Sequence, residues 1–362
     1  MPAQQLRPRY TFSVPELPDI ETYLEALSER ILGEPLLGVG IESPFLLRTA
    51  DPPIREIEGK KVAALRHLGK RVVLALEGEL FLVLHLMIAG RLHWIPGPGD
   101  GAAAPRAPDP RRARPSASLH APTAGDKPPP YRTGSARRTG TTLASFQFPG
   151  GTLTLTEAGT RRRAALHLVR GEAGLSSLAR AGIEPLEADL AAFASALQRE
   201  NHTLKRALTD PDLFSGIGNA YSDEILHQAG LSPVKLTQRL TGDEAARLHQ
   251  ATRDVLGRWL ARLRMERAGG FPGKVTAFRE DFGVHGKYRQ PCPRCGAPVQ
   301  RIVHAENETN YCPRCQTGGQ ILSDRSLARL LKQDWPHTLE ELEQKPGFGL
   351  RKAARARSGT RA

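Results

Sequence analysis

All four cysteines fall in two identical cassettes, Cys292-Pro-Arg-Cys295 and Cys312-Pro-Arg-Cys315, with sixteen residues between them. Two tight turns that each present a pair of thiolates make a tetrahedral zinc site, and four sulfur ligands close its coordination shell. Such a metal holds a hairpin together and does not activate water. A thioredoxin-like redox centre needs only one such pair, and disulfides are disfavoured in the cytoplasm. His304, lying between the pairs, reads as a surface or DNA-facing residue rather than a ligand.

Two other stretches carry residue types suited to chemistry. In "SVPELPDIE", residues 13–21, Pro15 stands beside Glu16. The pair reads either as the start of an ordinary helix, with Ser13 and Glu16 at capping-box spacing and Pro15 in the first turn, or as a catalytic amine that must first be uncovered. In "SGIGNAYSDE", residues 215–224, two glycines precede a helix start. That pattern aims backbone N–H groups at an anion such as a DNA phosphate; a plain turn uses the same residues.

The chain that must position these groups has 362 residues, 40% of them hydrophobic, which suffices for two or three domains with their own cores. Its 51 Lys and Arg against 38 Asp and Glu give a net charge of +13. Such a balance points to a polyanionic partner, nucleic acid first, because each cation that meets a phosphate releases counterions. A GC-rich genome that writes Arg for Lys produces the same balance. No run reaches transmembrane length, and residues 1–12 lack the apolar core of a signal peptide. A cytoplasmic protein without a membrane partner is expected.

From Pro18 onward, Ile20, Leu24, Leu27 and Ile31 recur at helical steps, predicting an amphipathic helix that ends near Gly33. "KRVVLALEGELFLVLHL" reads as a hairpin around Glu77-Gly78 whose second strand is apolar on both faces. Residues 95–139 are a Pro, Ala, Gly and Arg mixture without periodicity, expected as a disordered insert, either solvated and without a role or touching DNA through its arginines. Strands resume with "LASFQF" and "GTLTLTE" and complete a β-rich first domain. Beyond about residue 180 the pattern is helical. Leu190, Phe193, Ala194 and Leu197 share a face, residues 203–209 form a short helix, and a third helix opens with Asn219 as N-cap and closes at Gly230. A fourth is announced by the capping box Thr241-Gly-Asp-Glu244, with Leu248, Ala251, Val255, Trp259 and Leu263 in register.

"PELPDIE", the lysine in "HLGKRVV", "GIGNAYSDE" and "VHGKYRQPCPRCG...NYCPRCQ" follow one another in the order found in the formamidopyrimidine-DNA glycosylase and endonuclease VIII family, which this sequence resembles over most of residues 15–335. The resemblance implies an α+β multidomain fold. Residues 15–178 would be an N-terminal β-sandwich domain with the catalytic helix, 179–268 a helix-two-turn-helix DNA-binding domain, 284–318 a zinc-ribbon finger, and 319–362 a C-terminal helix and basic tail. It also implies a monomeric DNA repair glycosylase and abasic-site lyase with one structural zinc ion. Its partner would be double-stranded DNA containing oxidised bases or abasic sites.

Carried over residue by residue, the resemblance makes the Pro15 amine the nucleophile that attacks C1′ of the damaged nucleotide, forming an imine. A free α-amine titrates near ~7.7 to 8.0, so a useful fraction is unprotonated at neutral pH. Glu16 matches the general acid and base, and Lys70 the catalytic hairpin-loop lysine. Asn219 matches a phosphate-gripping residue, and Lys205 a lysine near the lesion. The target nucleotide must flip out, since neither amine nor acid reaches C1′ inside the stack. Asn307 stands where the family usually has an arginine that joins Lys70 and Asn219 on the phosphates. In the wedge that fills the space of the flipped base, Met87 and Ile88 lie in "HLMIAG", and Arg162 is kept while Ala164 replaces a phenylalanine. Asp19 replaces a more usual glutamate.

Residues 1–14 form an extension that conflicts with this chemistry, because a proline acylated by Val14 has no lone pair for attack. Initiation at a GTG codon at Val14, followed by methionine removal, would expose Pro15. The reaction expected is excision of formamidopyrimidine or 8-oxopurine bases with β,δ-elimination. The rivals are oxidised-pyrimidine excision of the endonuclease VIII kind and non-catalytic binding of damaged DNA. A zinc-ribbon transcription factor fits the charge and the cysteines but leaves "PELP" unexplained.

Overall fold

The computed structural model describes residues 14–97, 141–158, 163–273, 279–304, 307–322 and 336–344. The extension up to Ser13, nearly all of the insert, Arg162 and the basic tail lie outside them.

Helix α1 (Leu17–Ile31) opens the fold, and its buried face includes Ile20, Leu24, Leu27 and Ile31, as the spacing predicts. Its start differs from the Ser13 capping box. Glu16 is the N-cap, Pro18 lies inside the first turn, and Pro15 precedes the helix in a buried position. The helix shares its core with two antiparallel four-stranded sheets. One runs β1 (Gly38–Ile41), β6 (Thr141–Phe148), β7 (Gly151–Glu157), β5 (Gly90–Pro96). The other runs β2 (Val62–Leu68), β3 (Arg71–Leu76), β4 (Leu80–His85), β8 (Ala165–Arg170). Ile95 and Pro96, placed by composition in the insert, are the last residues of β5 and pair with Thr152 and Gly151.

Leu74, Leu82 and Leu84 from one sheet and Phe146, Leu153 and Leu155 from the other share a core with Ile20, Tyr23 and Leu27 of α1. The opposite face of the β3–β4 hairpin is also buried, where Val73, Phe81 and Val83 pack with Leu175 of α2 (Gly171–Ser176). That second layer is why these strands read as apolar on both faces.

A second core joins α3 (Leu190–Gln198), α4 (Leu204–Thr209), α5 (Asn219–Ala229) and α6 (Gly242–Arg267). The capping box of Thr241 and Glu244 starts α6, and Leu248, Ala251, Val255, Trp259 and Leu263 are all buried. In α3 the buried set is Phe193, Ala196 and Leu197, while Leu190 at the first turn is 42% exposed and Ala194 lies at the margin. Only a narrow stripe of this short helix faces its neighbours, so Ala196 and not Ala194 completes it. Leu17 belongs to this second core although the rest of α1 serves the first. Helix α1 is further tied to α6 by ion pairs of Glu25 with Arg264 and Glu29 with Arg267.

The last unit pairs β9 (Gln300–His304) with β10 (Asn307–Tyr311) and continues through α7 (Pro313–Thr317) to α8 (Leu339–Gln344). A small core of Val284, Val299, Ile321, Leu339 and Leu342 surrounds the cysteines.

Candidate active site

The turn before α5 does bind an anion, but one from within the chain. The Glu16 carboxylate accepts N–H bonds from Gly218 at 2.6 Å, Ala220 at 2.8 Å and Tyr221 at 3.2 Å. Unpaired donors and the positive end of the helix dipole draw a carboxylate there as they would a phosphate. The N–H groups of Gly218, Ala220 and Tyr221 are thus taken by Glu16. One residue on, the Leu17 N–H donates to Gly216 O at 3.0 Å, so Glu16 and Leu17 are both tied to the same loop.

Both glycines of the loop have a steric reason. Gly216 has a φ of 73°, and a Cβ there would meet Leu17 Cβ at 2.7 Å. A Cβ on Gly218 would meet the Glu16 carboxyl carbon at 2.5 Å and Lys70 Nζ at 2.7 Å. Lys70, in the β2–β3 turn, and Glu16 therefore both close on the space that a side chain at position 218 would fill. Burial pulls the Lys70 ammonium below its ordinary range, and the Lys205 cation adds to this against the pull of Glu16. His85 on β4 is pushed down to about 4 by burial and by Arg71 and Lys70, so it is neutral at neutral pH.

Helix α5 opens at Gly218 as N-cap, one residue before the expected Asn219. The Asn219 side chain is free of capping duty and donates from Nδ2 to Glu308 O in β10 at 2.9 Å. Lys205 donates from Nζ to Asn219 O at 2.6 Å and pairs with Asp223 at 2.5 Å. Asp223 is fully buried and also meets His285 Nδ1 at 2.8 Å and the Asn310 N–H at 3.1 Å. Despite burial its carboxyl is held below its ordinary value by Lys205 and His285. Glu224 accepts the N–H groups of Gly283, Val284 and His285, all within 2.9 Å.

Helix α5 therefore docks the zinc unit on one side and holds Glu16 at its start. Asp223 and Glu224 lie in "SGIGNAYSDE", where nothing local in the sequence assigns them a role. Their partners toward the C-terminus lie 59 to 87 residues away in sequence. The Sγ atoms of Cys292, Cys295, Cys312 and Cys315 lie within 4.8 Å of one another. Four such sulfurs form a closed structural zinc site.

Met87 and Ile88 form the turn between β4 and β5, both partly buried, with Met87 at a φ of 53°. Ala164 is 4% exposed, packs in the sandwich core, and gives its N–H to Glu157, so it presents no wedge. The side chains of Asn307 and His304 lie outside the described residues. Asp19, near the start of α1, accepts the Glu16 N–H at 3.0 Å and pairs with Arg279 at 3.2 Å. Nothing in the sequence pointed to Arg279.

Three family models cover the chain: the formamidopyrimidine-DNA glycosylase N-terminal domain over residues 14–142, the formamidopyrimidine-DNA glycosylase H2TH domain over 181–265, and the zinc finger found in FPG and IleRS over 289–318. The formamidopyrimidine-DNA glycosylase of Thermus thermophilus is 31% identical over 317 residues, covering 84% of this chain and all of the relative. The chain belongs to the formamidopyrimidine-DNA glycosylase family. The crystal structure of the T. thermophilus MutM (Fpg) protein aligns with 30% identity and a TM-score of 0.62, covering 83% of this chain and 98% of that one. A Lactococcus lactis Fpg complex with abasic-site DNA aligns with a TM-score of 0.64 over 83% of this chain and 99% of the other, at 24% identity, and speaks for the fold. An "uncharacterized formamidopyrimidine-DNA glycosylase-like protein" of Mycobacterium tuberculosis is 38% identical over 151 residues, covering 42% of this chain and 94% of the relative. The glycosylase family, its β-sandwich, H2TH domain and zinc finger thus agree with the architecture expected from the motifs. Among the described residues no helix is long and apolar enough to cross a membrane.

Proposed function

We propose that this family member is a bifunctional enzyme that excises oxidised bases, of the formamidopyrimidine and 8-oxopurine kind, and then cleaves the strand. The convergence of Glu16 and Lys70 on Gly218, beside Pro15, carries this reading. The Pro15 secondary amine attacks C1′ of a flipped nucleotide, the base departs, and an imine forms. Glu16 is the proton donor and acceptor for sugar-ring opening and the elimination steps, held by three backbone donors so that it need not be reoriented for each. Lys70 supplies a cation toward the phosphate flanking the lesion. Asn219 and Lys205 act at one remove, Asn219 by fixing α5 to β10 and Lys205 by fixing α4 to α5 through Asp223. Met87 and Ile88 are the groups that enter the space left by the flipped base. β- and δ-elimination then release the sugar and leave a one-nucleotide gap.

The reading requires a Pro15 that is not acylated. Residues 1–14 must be absent from the working enzyme, which start at Val14 followed by methionine removal would achieve. Intact mass of the protein from its host tests this, and a chain retaining residues 2–14 sinks the assignment of Pro15. Borohydride trapping on an abasic-site duplex tests the imine itself. A covalent adduct in the wild type, lost in Pro15→Gly, is expected; its absence favours a protein that only binds damaged DNA. A lesion panel then separates oxidised purines from the pyrimidines of an endonuclease VIII-like enzyme.

A further inference from the structure

A proline ring locks its nitrogen about the N–Cα bond. The direction of a free Pro15 amine therefore follows one torsion, the setting of the Pro15–Glu16 peptide plane. The N–H of that plane donates to Asp19 Oδ2 at 3.0 Å. The other oxygen of Asp19 accepts from Arg279 Nη2 at 3.2 Å, and both side chains are nearly buried, at 7% and 8% exposed. Arg279 lies in the segment between α6 and the zinc unit. Its Nη1 reaches Glu266 of α6 at 3.2 Å, and its guanidinium lies 5.3 Å from the Trp259 ring centre. The arginine is thus held by two residues of α6 and in turn holds the carboxylate that orients the peptide.

We propose that Arg279 is a positioning residue for the Pro15 amine, acting through Asp19 and the Glu16 N–H; this rests on the assignment of Pro15 as nucleophile. Arg279 touches neither sugar nor base in this role. It stops the Asp19 carboxyl from rotating away and keeps it an anion, the stronger acceptor for the Glu16 N–H. Around Asp19 stand Glu16 and Tyr23 from the α1 segment, Arg91 from β5, Tyr221 from α5, and Glu266 and Arg267 from α6. Burial raises the Asp19 carboxyl to about 6, and Arg279 is foremost in pulling it down. Without that cation, Asp19 takes up its proton at a higher pH.

The zinc-loaded full chain provides the first test, amide hydrogen exchange at Glu16. Wild type is expected to be protected, and Arg279→Ala to exchange about 10-fold faster or more, a modest opening for one lost charged partner. On the mature protein from its host, borohydride trapping should slow about 10- to 100-fold in Arg279→Ala with little change in KM for the abasic duplex, since small misplacements of reacting groups cost rates of that order. The acidic limb of its pH profile should move to higher pH, and Arg279→Lys should restore part of both effects. Arg279→Gln, which keeps the stem over Trp259, replaces the alanine variant if that fails to fold. Unchanged protection of the Glu16 amide in a folded variant overturns the proposal, whatever the trapping rate. If the wild type forms no adduct while the variant still frees the Glu16 amide, the contact stands but the nucleophile assignment falls, and the positioning role falls with it.

Discussion

Glu16 and Gly218, separated by 202 positions in sequence, are joined by a 2.6 Å hydrogen bond from the glycine N–H to the glutamate carboxylate. This contact brings the start of α1 to the start of α5, so the stretch that begins the sandwich domain and the one that organises the helical domain meet at the same few atoms. A loop pattern commonly read as a phosphate cradle serves here to fix an acid.

The first prediction concerns Gly218. In Gly218→Ala the new Cβ must displace the Glu16 carboxylate or Lys70 Nζ, both now under 3 Å from its position. Overpacking of this kind costs about 1–3 kcal/mol, and a shift of reacting groups by an ångström costs about 100-fold in rate. Urea melts with trapping kinetics should show the rate falling far more than stability; a variant with wild-type trapping would mean the glycine serves only the turn.

Glu16→Gln keeps the size of the side chain but places an NH2 among backbone donors at a helix N-terminus. The mismatch should cost about 1–3 kcal/mol of stability, and loss of the proton carrier should slow strand cleavage by about 10²- to 10⁴-fold. Single-turnover cleavage of an abasic duplex measures the second effect. Equal losses in Glu16→Gln and Glu16→Ala would tie the effect to the lost acid, whereas near-normal cleavage in either would remove Glu16 from the chemistry.

Asp19 sets a pH dependence of stability. Burial raises its carboxyl from 3.8 to about 6, against the pull of Arg279. The folded protein therefore holds this proton more tightly than the unfolded chain. The resulting contribution is full below the unfolded value and is lost as pH rises through about 6, with a span of about 3 kcal/mol. Asp19→Asn should lack this slope, so wild-type stability relative to the variant should fall between pH about 4 and about 7. Parallel melting curves across that window would show that Asp19 titrates as it does in the unfolded chain.

Zinc removal should reach the contact between Glu16 and the start of α5. The metal site anchors a unit that grips α5 through Asn219 to Glu308, Asp223 to Asn310 and Glu224 to residues 283–285, and the chain just after α5 through Gln316 to Leu231. Structural zinc contributes about 10–16 kcal/mol in small finger peptides, enough to unfold the unit when it is chelated. Hydrogen exchange should then rise throughout residues 283–322 and at the start of α5, while β3 and β4 remain protected. Trapping should fall along with DNA affinity. Loss of affinity with trapping intact at saturating DNA would show that the finger only binds.

The zinc site was legible in the sequence because ligand identity and short-range spacing define it. The amphipathic registers of α1 and α6 and the doubly apolar β3–β4 hairpin were legible too, since each depends on periodicity within one element. The motif order pointed to the family through Pro15, Glu16, Lys70 and Asn219. The sequence by itself could not show that the anion at the α5 N-terminus is Glu16, that Asn219 spans to β10 rather than capping its helix, or that Asp223, Glu224 and Arg279 matter. Each of these depends on partners tens to hundreds of residues away, and a backbone N–H or carbonyl carries no residue type to read. Local pattern determined which groups the chain possesses; packing of α1 between the two cores decided which of them meet.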